Sequence, residues 1–268
     1  LHKKDLIMPI KKLLHPKLEF KDVSYGFFTR KGGFSKPPYD TLNCSFNVED
    51  NEDDVLENLK LVCNQLKLEK LIKLNQIHSS KVFVVRNKNI AINNIQADGL
   101  VTKLRGIGLA ILGADCAPIL FYDKNSKIIG ACHAGWRGAI NDIVGTTVNS
   151  MEDLGANRND IVSIIGPTIH KKSYEIKNDV AKIVKQSKLY KKNPSILFHL
   201  KKGKYLFDLP LLLKESLKHS KINKIGDIDV NTYEKENLFF SHRKSTHKNF
   251  PKQGKTGRHI SVIGLISN

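Results

Sequence analysis

IGLAILGADCAPILFY, residues 107–122, is the longest nearly apolar run in the chain. Its 16 residues are too few to cross a bilayer as a helix, and Gly113, Asp115 and Pro118 break it. Short apolar runs punctuated by Gly, Asp and Pro mark buried strands. The stretch reads as two buried strands with a turn between them, and Cys116 sits in the turn. Strands without a polar face need covering on both sides, which points to an α/β class.

Outward from this run, GLVT (99–102) precedes it and KIIGACH (127–133) follows, both strand-like. KVFVVR (81–86), IVSIIGP (161–167) and the tail RHISVIGLI (258–266) add further strands. NEDDVLENLKLVCNQLKL (51–68) has helical spacing, with an acidic first turn and Val55, Leu59, Val62 and Leu66 on one side. AINDIVGTTVNSMEDLG (139–155) reads as one helix stopped by Gly155. KNDVAKIVKQS (177–187) and DLPLLLKESLKH (208–219) are helical too, the second capped by Asp208 with Pro210 in its first turn. GFFTRKGGFSKPPYDTLNCSFN (26–47) is loop-dominated, and SHRKSTHKNFPKQGKTG (241–257) reads as a long, mobile basic loop. No linker or short repeat divides the chain. One domain over residues 1–268 is expected, an α/β layered sandwich with an N-terminal extension over 1–20.

The chain carries 44 Lys+Arg against 26 Asp+Glu, a formal charge of +18. The excess is scattered Lys, not an Arg-rich block interleaved with aromatics, so it reads as background composition rather than a nucleic-acid surface. A preference for anionic substrates survives that reading. A hydrophobic fraction of 40% suffices for a core and argues against disorder. Cys44, Cys63, Cys116 and Cys132 form no CxxC pair, and LHKKDLIMPIKKLL lacks the apolar centre of a secretory leader. Reduced thiols, a cytoplasmic location and no membrane span are expected.

Three strand ends carry ligand chemistry: His78 before KVFVVR, Cys116 in the turn, and His133 at the end of KIIGACH. Two imidazoles and a thiolate suit Zn²⁺ and leave a fourth position for water. The same residues suit a metal-free Cys–His pair, with Cys116 attacking and a histidine as base. Cys132 alternates with His133 along the strand and points into the core. In GWRG (135–138), the glycines allow close backbone approach and Arg137 suits an anion. Trp136 serves equally as a stacking surface or as packing over the sheet. Arg30, in TRKGG, is a second anion-ligand candidate.

NQIHSSKV (75–82), ADGLVT (97–102), ADCAPILFYD (114–123), HAGWRG (133–138), IGPTI (165–169), SYEI (173–176), FFSHRK (239–244) and TGR (256–258) occur in the order seen in the YfiH-like, "laccase-domain" family of multi-copper polyphenol oxidase type. The resemblance runs from about Gly26 to Ile266. It implies a single-domain four-layer α/β/β/α sandwich with mixed sheets, and zinc on His78, Cys116 and His133. Copper suits the same donors. It also implies a purine nucleoside phosphorylase that acts on adenosine, inosine and methylthioadenosine and deaminates adenosine. Arg30, Asn43, Arg137 and Arg243 become candidates for substrate or phosphate contacts.

Two other activities belong with the resemblance: a cysteine or metal hydrolase editing peptidoglycan precursors, and a copper-dependent polyphenol oxidase. The oxidase fits poorly, since several coppers need clustered His-x-His ligands and none occur. The H-x-E with P-C-x-x-C signature of zinc nucleobase deaminases is missing as well. His170, Lys171, Lys172, Asn231 and His242 depart from the family pattern, and an insertion precedes Thr256. These departures are expected around the pocket rim.

Overall fold

Residues 107–122 form two strands in the computed structural model, which describes residues 9–90, 95–248 and 253–267. Those two strands lie in different sheets. In chain order the strands are β1 (Lys12–Leu13), β2 (Val23–Phe28), β3 (Lys70–Ile72), β4 (Val82–Val84), β5 (Gly99–Thr102), β6 (Ile107–Gly113) and β7 (Ala117–Asp123). They continue with β8 (Ile128–Ala134), β9 (Ile161–Ile165), β10 (Glu175–Lys177), β11 (Leu197–His199), β12 (Lys204–Phe207), β13 (Lys224–Asp227) and β14 (His259–Leu265). The helices are α1 (Glu52–Gln65), α2 (Trp136–Ile140), α3 (Ile143–Asp153), α4 (Asn178–Gln186), α5 (Lys188–Lys192), α6 (Leu209–His219) and α7 (His242–Thr246).

A five-stranded sheet has the order β1-β2-β14-β6-β3, and a six-stranded sheet the order β13-β9-β7-β8-β5-β4. Both mix parallel and antiparallel pairs. The two pack face to face. Leu109, Ile111 and Ile263 of the first meet Leu120, Tyr122 and Ile164 of the second. The alternate residues point outward: Ala110 and Val262 pack under Val62 and Leu66 at α1. Ile119 and Phe121 pack under Val144, Val148 and Leu213 of α3 and α6. The result is the expected four layers in the order helix, sheet, sheet, helix. Each fully buried Leu, Ile or Phe in these layers stabilises the fold by about 1.5–3 kcal/mol.

Several expectations need correction. The expected turn between the two buried strands is present at 114–116, and it crosses from one sheet to the other, because β6 pairs with β14 and β3 while β7 pairs with β8 and β9. Residues 139–155 are two helices, not one. Asp142 has φ of 64°, which cannot continue a right-handed helix, and its side chain instead accepts from Gly145 N–H at 3.1 Å to start α3. Within 241–257, Ser241 caps the short helix α7 and Ser245 is buried. Residues 249–252 of that basic segment lie outside the described residues. The N-terminal extension is part of the fold from residue 12 onward: β1 pairs with β2, and Leu18 is fully buried. Residues 1–8 lie outside the described part. A three-stranded sheet, β10-β12-β11, was not anticipated; it joins the helix layer through Ile176, Leu197, Tyr205 and Phe207.

The first residue of β14 carries a measurable consequence. His259 is 1% exposed, stands edge-on to Phe239, and has no partner for either ring nitrogen among the described residues. Burial, with Arg258 and Arg30 nearby, lowers its pKa to about 3. Its folded value lies below the unfolded value of ~6.5, so its stability contribution is complete above pH 6.5 and is lost as pH falls toward 3. Between pH 7.5 and pH 5 this group removes about 2 kcal/mol. His259→Leu is expected to abolish that share of the acid sensitivity. Urea unfolding at both pH values tests it, and an unchanged pH dependence in the variant counts against it.

Candidate metal centre

The sheet crossing at 114–116 places Cys116. Asp115 has φ of 89° and is fixed from all sides. Its carbonyl accepts from Ile169 N–H at 2.9 Å and Thr168 Oγ1 at 2.6 Å. Its carboxylate accepts from Thr232 Oγ1 at 2.7 Å and Arg243 N–H at 2.6 Å. Four bonds to three segments hold an uncommon backbone conformation in place, as functional turns require. His133 stands near the end of β8, directly opposite Pro118 of β7. His78 arrives from the loop before β4. Gln76 joins that loop to the end of β6, donating to Leu112 O and accepting from Leu112 N–H, both at 2.8 Å.

Asp98, fully buried before β5, joins two of the three donors. Its carboxylate accepts from the backbone N–H of His78 at 3.0 Å and of Ser79 at 2.6 Å, and from Ser79 Oγ at 2.7 Å. It lies 2.9 Å from His133 Nδ1. That bond places a proton on Nδ1 of His133 and leaves Nε2, on the Cys116 side, to bind a metal once its own proton is displaced. Burial raises the Asp98 pKa, but the bonds from His133 and Ser79 outweigh it and lower the value to about 2.

The ligand atoms of His78, Cys116 and His133 all lie within 4.8 Å of one another. Among the described residues this is the one such cluster of metal-binding side chains. The two imidazoles meet edge to face, 4.8 Å between centroids. Burial pushes the Cys116 thiol up, yet His133 and His78 reverse this and bring it down to about 6. Burial lowers the His133 pKa, but Cys116 and Asp98 reverse this and raise it to about 9. The pair therefore favours thiolate and imidazolium, and a metal arriving there displaces a proton.

Gly135 supplies the floor. A Cβ at this position would stand 2.9 Å from Cys116 Sγ and 3.0 Å from His78 Nδ1. Two nitrogens and a sulfur, a carboxylate orienting one imidazole, and a floor without a side chain fit a tetrahedral divalent ion with an open position. We expect Asp98→Asn to weaken metal binding by about 10–100-fold while the chain still folds. Titration against a competing chelator measures this; affinity equal to wild type would remove Asp98 from the site.

Two cavities meet at Cys116. The larger, about 310 Å³, is lined among others by Ser45, Asn47, Gln76, His78, His133 and Arg258. The smaller, about 110 Å³, is lined by Asp115, Ile169, Tyr174, Leu209 and Arg243. Ala114, Cys116 and His242 line both. Arg30 and Asn43 line neither. Arg30 is spent on the scaffold: Nε donates to Asp40 O at 2.6 Å, Nη2 to Asp40 Oδ1 at 3.0 Å and Nη1 to Glu236 O at 3.2 Å. Asn43 is fully buried, and its amide serves Ser45, Asp50 and the backbone of Arg258. Arg137 is exposed over the Trp136 ring, outside both linings, and Trp136 packs against the core. Arg243 lies over Tyr174 in the smaller cavity. Cys132 is fully buried in the core, on the opposite face from His133.

Sequence reading passed over Asp98, although it opens the quoted ADGLVT, and Arg258, which ends TGR. Among the departures, His242 lines the site. His170, Lys171, Lys172 and Asn231 line a different cavity, together with Lys214 and Glu234.

The family described as "Multi-copper polyphenol oxidoreductase laccase" matches residues 24–266. The chain belongs to this family, the YfiH-like proteins. Purine nucleoside phosphorylase YfiH of Escherichia coli is 31% identical over 247 residues, covering 92% of this chain and 95% of that protein. Purine nucleoside phosphorylase YlmD of Bacillus subtilis is 30% identical over 260 residues, covering 91% and 89%. The crystal structure of hypothetical protein YfiH from Bacillus licheniformis superposes with a TM-score of 0.86 at 31% identity, covering 96% of this chain and 99% of that one. YlmD from Geobacillus stearothermophilus gives 0.82 at 28% identity, covering 94% of each. Among the described residues, no helix is long and apolar enough to cross a membrane.

Proposed function

We propose that this protein is a zinc-dependent purine nucleoside phosphorylase acting on adenosine, inosine and methylthioadenosine, with adenosine deamination as a second activity. The observation that carries the reading is the convergence of His78, Cys116 and His133 where two cavities meet. Relatives about 30% identical across most of their length, and named purine nucleoside phosphorylases, support it. His78, Cys116 and His133 hold the ion; copper suits the same donors, but one ion is too few for an oxidase of the laccase type. Zinc bound there supplies a Lewis acid and acidifies a water molecule.

The chain's own groups do the rest. Asp98 keeps the proton of His133 on Nδ1 and so keeps Nε2 directed at the ion. Arg243, over Tyr174, remains the substrate contact of the arginines first considered. All four thiols are free, which fits a reducing compartment, the cytoplasm. Nucleosides and phosphate are its partners. One observation favours the hydrolase instead: Cys116, His133 and Asp98 also stand as nucleophile, base and orienting carboxylate.

Incubation of the purified protein with adenosine, with and without phosphate, tests the reading by chromatography of the products. Adenine that appears only with phosphate is the expected outcome for phosphorolysis, and inosine for deamination. Absence of both products at every zinc loading defeats the proposal.

A further inference from the structure

The larger cavity holds a cation whose binding edge is free. Arg258 is held at its backbone, where its N–H donates to Asn43 Oδ1 at 2.9 Å and its carbonyl accepts from Cys44 N–H at 3.0 Å. Only Nη1 of its guanidinium is used, donating to Thr256 O and Gly257 O at 3.0 Å each. Nε and Nη2 have no partner among the described residues, and Arg258 is in no ion pair there. Nε and Nη2 form the side of the fork that grips two oxygens of one anion. A guanidinium partly withdrawn from water with three N–H groups unused is costly unless an anion completes it. Arg30 shows the opposite condition, with all three nitrogens already committed.

The smaller cavity has another character. Ile169 and Leu209 give it apolar walls, and Tyr174 with the planar Arg243 guanidinium over its ring adds flat surface. Such a slot suits a planar heterocycle. Cys116 and His242 form the waist between the two.

We propose that Arg258 is the phosphate anchor of this site, and that the two cavities divide the reactants. Phosphate lies against Nε and Nη2 of Arg258 in the larger cavity, and the purine lies against Tyr174 in the smaller. C1′ of the sugar sits at the waist. This assignment rests on the phosphorylase reading above. An oxygen of hydrogen phosphate forms the new bond to C1′, and the C1′–N9 bond breaks with its electron pair going to N9. The proton of hydrogen phosphate ends on the released base. Displacement at C1′ needs nucleophile and leaving group on opposite faces, and two adjoining cavities that share Ala114, Cys116 and His242 give each reactant its own compartment. Asn43 is then a positioning residue for Arg258.

Steady-state kinetics on the zinc-bearing full chain, with inosine saturating and phosphate varied, tests this in wild type, Arg258→Gln and Arg258→Lys. The KM for phosphate is expected to rise by about 10–100-fold in Arg258→Gln, as for loss of a charged hydrogen bond, with the KM for inosine changed by less than about 3-fold. Arg258→Lys, which keeps the charge but not the fork, falls between. Thermal unfolding with inorganic phosphate alone gives an independent readout: phosphate raises the wild-type Tm and leaves that of Arg258→Gln unmoved. Unchanged phosphate KM in the folded variants overturns the inference and leaves the phosphorylase reading intact. A wild type that makes no ribose 1-phosphate, yet shows a phosphate shift that Arg258→Gln loses, defeats that reading and keeps Arg258 as an oxyanion site. Absence of any phosphate shift in the wild type overturns the assignment.

Discussion

Cys116→Ala is expected to lower kcat/KM for phosphorolysis by about 10³-fold or more. The thiol is the one anionic donor in the cluster, and the imidazoles of His133 and His78 already bring its pKa to about 6. Removing it takes away the charge that balances a divalent ion, leaving two imidazoles on separate segments. Lewis-acid stabilisation worth several kcal/mol corresponds to about three powers of ten in rate. Fold stability is expected to change little, because Cys116 lies in the sheet crossing and outside the three hydrophobic clusters. His78→Ala and His133→Ala should follow the same pattern, with His133→Ala also leaving Asp98 buried without its ring partner. Kinetics paired with thermal unfolding separates the two effects. Activity within tenfold of wild type in any one of them contradicts a shared ion.

Gly135→Ala should show the second large effect, and it comes from one methyl group. Gly135 sits at φ −77° and ψ 174°, an extended conformation that any residue adopts. Backbone strain is therefore no part of the cost. The new Cβ would stand 2.9 Å from Cys116 Sγ and 3.0 Å from His78 Nδ1, so the donors must move apart. A metal site displaced by a few tenths of an ångström binds and works poorly. Metal affinity and activity are expected to fall together by about 10–100-fold, while thermal stability stays within about 1 kcal/mol. Metal content measured with activity checks this, and full occupancy in the variant counts against Gly135 as the floor.

Much of the fold was legible because its central strands are buried on both faces. GLVT and KIIGACH lie within a residue of β5 and β8, and IGLAILGADCAPILFY begins with β6 and stops one residue before the end of β7. The sheet crossing was not legible, because two buried strands in one sheet and in two facing sheets have the same apolar pattern. β10 was missed for a different reason: it is three residues long, with Ile176 buried between exposed Glu175 and Lys177. The break in 139–155 hung on Asp142, which fits a helical pattern and also caps a new helix. At the site, the three donors could be read from their chemistry. Asp98 and Arg258 could not, because one acts through buried bonds to distant backbone and the other through what its guanidinium leaves unused. Arg30 carried the same sequence signal as Arg258. Asp40, ten residues away along the chain, takes it out of reach of substrate.

The account stands on one ion held by three side chains from three segments. Its most direct test is the metal content of protein purified without added metal, measured by plasma mass spectrometry on wild type and Cys116→Ala in parallel. It predicts about one zinc per wild-type chain and close to none in the variant. Equal metal in the two proteins, or none in an active wild type, would contradict it.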